Sequence, residues 1–108
     1  MTKPDLFDGI ELLVDLPEVG IQAGEQGAIV EDYGDAYEIE FFVPNSNGET
    51  LALCRLTLDQ FVVVWRSATK SDVSISEQVA AIVEQLPDDR RKQVFEFARS
   101  LVLKEHFV

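Results

Sequence analysis

The apolar residues of this chain change their spacing once, near Trp65, and that change constrains the fold more than any other feature. Before it, β-branched and aromatic residues come in short runs broken by Gly, Pro, Asn and Asp; after it they recur every three or four residues. A period near two marks half-buried strands, and a period near 3.6 marks an amphipathic helix. The strands therefore precede the helices. At 108 residues there is room for one small domain, or for a minimal domain with an appendage. A hydrophobic content of 46% is far above that of a disordered chain of comparable charge.

Five strands are expected. Ile10–Val14 is the first, closed by Asp15-Leu16-Pro17-Glu18, and a loop punctuated by Gly20, Gly24 and Gly27 follows, with cheap access to positive φ. Ala28–Glu31 is the second, and Tyr33-Gly34-Asp35 turns the chain into Ala36–Val43. There Tyr37, Ile39 and Phe41 share one face while Glu38 and Glu40 share the other. Pro44–Gly48 is a hairpin loop with Asn47-Gly48 as its turn, and Thr50–Leu56 returns as the fourth strand. One helical turn at Thr57–Gln60 leads into the fifth, Phe61–Trp65. Short strands, tight hairpins and that single turn favour a small five-stranded SH3-like barrel over residues 1–66.

Residues 67–73 read as a linker and residues 74–108 as a helical hairpin. Ser74 and Glu77 fit a capping box, and Ile75, Val79, Ile82, Val83 and Leu86 form one helix face. Leu86-Pro87-Asp88-Asp89 ends that helix and starts the next, whose acidic first turn complements the helix dipole. Val94, Phe97, Ala98 and Leu101 make the second stripe, widened by Phe95 and Val102, with Lys104 and His106 in the last turn.

Twenty Asp and Glu against nine Lys and Arg give a net charge of −11. An acidic surface argues against nucleic acid and against an anionic membrane, and it leaves basic partners, cations or mere solubility. The charge is uneven: residues 1–70 carry a net −9 and residues 71–108 a net −2. With a single cysteine, Cys54, no basic-then-apolar start and no apolar run of spanning length, the expected compartment is the cytoplasm.

No residue set points to catalysis, a cofactor or a metal. His106 is the only histidine, and Cys54 has neither an adjacent base nor a helix amino terminus to make it a thiolate. Glu31, Asp32 and Asp35 around the Tyr33-Gly34 turn lack the spacing of a calcium loop, and read as turn and rim residues. Gly20 to Gly27 lacks the Lys-Ser/Thr of a phosphate loop and contains Glu25, which would repel phosphate. Trp65, Phe61 and Phe42 divide between core and surface, and Phe42 belongs on the outward face beside Glu38 and Glu40. The candidate protein-binding residues are therefore Glu38, Glu40 and Phe42 on the sheet, with Val94, Phe97 and Leu101 on the tail.

Leu6–Leu13, Asp15–Glu18, Gly20–Gly24, Gly27–Val30, Tyr37–Phe41 and Thr50–Leu53 together resemble the small bacterial family catalogued as domain of unknown function 4926. The resemblance implies an SH3-like barrel with no established catalytic residue, and a companion role toward toxin-like proteins. The tail is similar to the helical segments catalogued as domain of unknown function 2281, through Glu77-Gln78-Val79, Glu84–Pro87 and Val94–Leu101. That likeness implies an antitoxin-like hairpin serving dimerisation or partner docking.

The expected function is non-enzymatic: an antitoxin-like or immunity-like partner that occludes a basic toxin such as a nuclease with an acidic face. The alternatives are a docking or accessory subunit of a larger complex, and a self-associating homodimer joined through the C-terminal hairpin.

Overall fold

The computed structural model describes residues 3–106, with side chains as far as Leu103. The reading of Lys104 and His106 as last-turn cations concerns side chains outside that range. The chain forms β1 (Gly9–Leu12), β2 (Gln26–Asp32), β3 (Tyr37–Phe42), β4 (Thr50–Leu56), β5 (Phe61–Arg66), β6 (Ser71–Asp72), α1 (Ile75–Glu84) and α2 (Asp88–His106). All strands join one antiparallel sheet in the order β4-β3-β2-β1-β5-β6. The sheet does not close; β4 and β6 are its edges.

The count is six strands rather than five. The sixth arises inside the expected linker, where Ser67–Lys70 turn the chain back so that Ser71 and Asp72 pair with Arg66 and Trp65. Val73 then enters the core. Polar composition suggested a free linker, but the backbone of a two-residue strand needs only a neighbour to pair with, not apolar side chains.

Alternation places the core. Ile10 and Leu12, Ile29, Tyr37, Ile39 and Phe41, Leu56, Phe61 and Val63 all turn inward, and the Tyr37 and Phe61 rings meet edge to face. β5 departs from alternation, because Phe61, Val62 and Val63 are all buried. A continuous apolar run suits a strand covered on both faces, and α1 crosses this one. The loop between β1 and β2 also contributes: Leu16 and Ile21 pair through their backbones at 2.7 and 3.2 Å and bury their side chains.

Gly20 and Gly24 in this loop adopt positive φ, as the glycine spacing suggested, but Gly27 does not. It lies in β2, where a Cβ would sit 2.8 Å from the Glu40 carbonyl oxygen and 2.9 Å from Ile39 Cγ2. Glycine is required here by a close approach rather than by a turn. Gly27→Ala is therefore expected to destabilise by about 1–3 kcal/mol through overpacking, read as a lower urea midpoint with an unchanged m value.

Among the described residues, Asp8 is the one buried charged side chain, 1% exposed. It accepts hydrogen bonds from the Asp5 N–H at 2.9 Å, the Ser67 N–H at 2.9 Å and the Ser67 hydroxyl at 3.0 Å. Arg66 Nη1 lies 3.7 Å away and has no hydrogen-bond partner, while Nη2 of the same guanidinium stands 3.8 Å from Glu77 on α1. One carboxylate thus ties the segment before β1 to the β5–β6 turn, and through Arg66 to the first helix.

Ser74 caps α1 by accepting from the Glu77 N–H at 3.2 Å, worth about 1 kcal/mol. The reciprocal half of the expected capping box is absent, because the Glu77 carboxylate turns to Arg66. Ile82, Val83 and Leu86 are half-buried, but Ile75 at the start of the same stripe is 79% exposed. α2 begins one residue after Pro87, whose carbonyl accepts from Arg90 and Arg91. Arg91 in turn donates to the Val83 and Glu84 carbonyls at 3.1 and 2.8 Å, satisfying the free end of α1 and fixing where α2 departs.

Candidate functional site

Two surfaces and one cavity remain as candidates. The first surface is the outward face of β3 and β4. Glu38 and Glu40 are half-buried there, and Phe42 beyond them is 40% exposed. Register sets Glu38 between Glu31 on β2 and Arg55 on β4, and Glu40 between Ala28 and Leu53. Two carboxylates directly opposite each other, as Glu31 and Glu38 are, disfavour the folded sheet. Glu38 is partly accommodated by the Tyr33 hydroxyl, which donates to it at 3.0 Å, and Thr50 donates to Glu40. The Arg55 guanidinium lies 4.0 Å from the centre of the Tyr33 ring, a cation–π contact.

Leu51 and Leu53 project from β4 beside this group and are exposed. The face therefore combines three carboxylates with three large apolar side chains. Sequence reasoning placed Glu38, Glu40 and Phe42 but passed over Leu51, Leu53, Arg55 and Tyr33. The signal was present in β4, where Leu51, Leu53 and Arg55 alternate with Ala52, Cys54 and Leu56.

The second surface is α2. Val94 is half-buried, while Phe97 (67% exposed) and Leu101 are open to solvent, as are Phe95 and Val102. The tail candidates thus lie on a different element from the sheet candidates, and the two groups do not form one site.

The cavity, about 680 Å³, lies between α1, β5 and the segment before β1. Its lining is mainly apolar, with Leu58, Val63, Val73 and Ala80; of its charged members Lys3, Arg66, Glu77 and Glu84, Arg66 and Glu77 face each other. Among the described residues, three groups titrate above their ordinary range. The hydrogen bond to Glu38 raises the Tyr33 hydroxyl most, with desolvation and the Glu38 charge adding to it. Burial raises Tyr37, helped by the charges of Asp32 and Asp5. Burial likewise raises Cys54, helped by Glu38 and Glu18, which favours a neutral thiol. None of the three faces the cavity. Asp32 accepts from the Gly34 N–H at 2.8 Å, the work of a turn residue, and the described residues hold no group of three or more His, Cys, Asp or Glu placed to bind a metal ion. No described helix is long and apolar enough to cross a membrane.

Sheet and helices together define a small, mainly β protein: one open antiparallel sheet followed by two helices. Within that class, the chain belongs to the family described as Domain of unknown function (DUF4926), whose model matches residues 6–63, just over half of its length. The match runs from the segment holding Asp8 to the middle of β5, and both helices lie outside it. No curated protein and no solved structure matches the chain.

Proposed function

We propose that this chain is a non-enzymatic binding module, and that the outward face of β3 and β4 docks a basic protein. The observation that carries the reading is the juxtaposition of Glu31, Glu38 and Glu40 with Phe42, Leu51 and Leu53 on one face. A basic partner relieves the opposed carboxylates and speeds encounter, while the apolar side chains supply most of the binding energy. Strand order supports an SH3-like arrangement, with β1 between β2 and β5 and the short Thr57–Gln60 turn before β5. The partner class that fits is an enzyme with a positive, phosphate-handling site. Occlusion of such a site by a carboxylate-rich face makes this protein antitoxin-like or immunity-like.

Co-expression with the product of the adjacent reading frame tests the reading. A complex is expected at physiological salt, weakening as salt rises and lost when Glu38 and Glu40 are both replaced by Lys. Absence of a complex at low salt, or a complex indifferent to the charge reversal, refutes it.

A further inference from the structure

We infer that β4 takes an added strand: an extended segment of the basic partner, with basic and apolar side chains in alternation, pairs antiparallel with it. The inference rests on the reading of the β3–β4 face as a docking surface for a basic protein, and specifies how that surface is engaged. β4 and β6 are the two edges of the open sheet. β6 is two residues long and includes Asp72, whereas β4 runs for seven residues with Arg55 as its only charge and no proline. Short length, charge and proline are what blunt a sheet edge, so β4 is the open one. Its one side pairs with β3. Every second residue of such a strand turns its N–H and C=O away from that neighbour, leaving a row of backbone donors and acceptors for another strand.

The two faces of this edge select different side chains. Inward, Ile39 and Phe41 of β3 are sealed, but Cys54 and Ala52, level with them on β4, pack against the core and remain only partly buried. Apolar side chains on the inward face of a further strand cover them. Outward, Leu53 is 60% exposed and stands between the edge and Glu40. A further strand lies about 5 Å from β4 and about 10 Å from β3. A lysine or arginine opposite Leu53 lays its apolar stem over the leucine and carries its charge to Glu40. Among the described residues neither Glu38 nor Glu40 has an ion-pair partner; Arg55, level with Glu38, stacks on Tyr33 instead. Charge also fixes the direction. The edge is negative before its start, where Glu49 is exposed, and positive near its end at Arg55. An antiparallel segment therefore begins with an acidic side chain opposite Arg55 and continues with basic ones toward Glu49.

The probe is the end-capped peptide Asp-Val-Lys-Val-Lys-Val-Lys, beside Val-Val-Lys-Lys-Asp-Lys-Val, which has the same composition and charge without the alternation. Titrated into the full chain at low salt, the alternating peptide is expected to bind at least about tenfold more tightly than the scrambled one. Amide hydrogen exchange should show new protection at alternate residues of β4, the set that faces away from β3. Equal binding of the two peptides, or binding without new protection in β4, overturns strand addition and leaves the docking of a basic protein on this face standing. Failure of both peptides to bind also overturns it, while the reading of the face is decided separately by the co-expressed complex and its Glu38 and Glu40 reversal. A chain that sediments as a dimer with those β4 amides already protected gives the edge to a second copy, and overturns the proposal.

Discussion

Asp8→Ala is expected to lower the stability of the fold by about 3–5 kcal/mol, the range for removing one partner of a buried ion pair. The substitution deletes the acceptor for the Asp5 N–H, the Ser67 N–H and the Ser67 hydroxyl, and it leaves the buried Arg66 Nη1 facing nothing. Glu77 does not compensate, because it is mostly exposed and its pair with Arg66 is worth about 0–1 kcal/mol. For a domain whose total stability is on the order of 5–15 kcal/mol, the variant should be largely unfolded or close to it at 37 °C. Urea denaturation of Asp8→Ala beside Asp8→Ala/Arg66→Met separates the contributions. The double variant should recover part of the loss by removing the stranded cation. A loss below about 1 kcal/mol in the single variant would show that the network is not structural.

Phe41→Ala and Phe42→Ala should differ as sharply as two neighbouring substitutions can. Phe41 is buried against Gly27 and the inner sheet face, so its truncation is expected to cost about 3–5 kcal/mol. Phe42 points to the other face beyond a register shift in the β3–β4 ladder. Its truncation should change stability by no more than about 0.5 kcal/mol. Binding of the basic partner should show the reverse order, with Phe42→Ala lowering affinity in a folded protein. Calorimetric unfolding and a partner titration of both variants decide the matter; a large loss of stability from Phe42→Ala would place that ring in the core and remove it from the docking face.

The period-two run Tyr37–Phe42 made both rings assignable from residue order alone, since alternate side chains of a strand must face opposite sides. β4 was equally readable in principle, but Leu51 and Leu53 look like core residues until the ladder to β3 sets Leu53 level with Glu40 and leaves Leu51 exposed at the register shift. Gly27 was misread as a turn glycine because composition reports only that a Cβ is missing. Whether φ or a neighbour forbids the Cβ depends on Ile39, Glu40 and Phe41 of β3, which are remote in sequence. Asp8 and Arg66 gave no signal, because a buried pair separated by almost the whole domain resembles any two surface charges.

Residue order by itself determined the order of strands before helices, the inward set of β3, the start of α1 at Ser74 and the concentration of charge in the β segment. Those are local properties, set by backbone periodicity, capping and composition within a few residues. Tertiary structure decided the open sheet, the sixth strand within the polar segment, the role of Asp8 and the exposure of the α2 stripe. Each depends on which distant groups meet. An amphipathic helix carries the same apolar face whether its own domain covers that face or leaves it open, and only the placement of α2 beyond Arg91 left it open here.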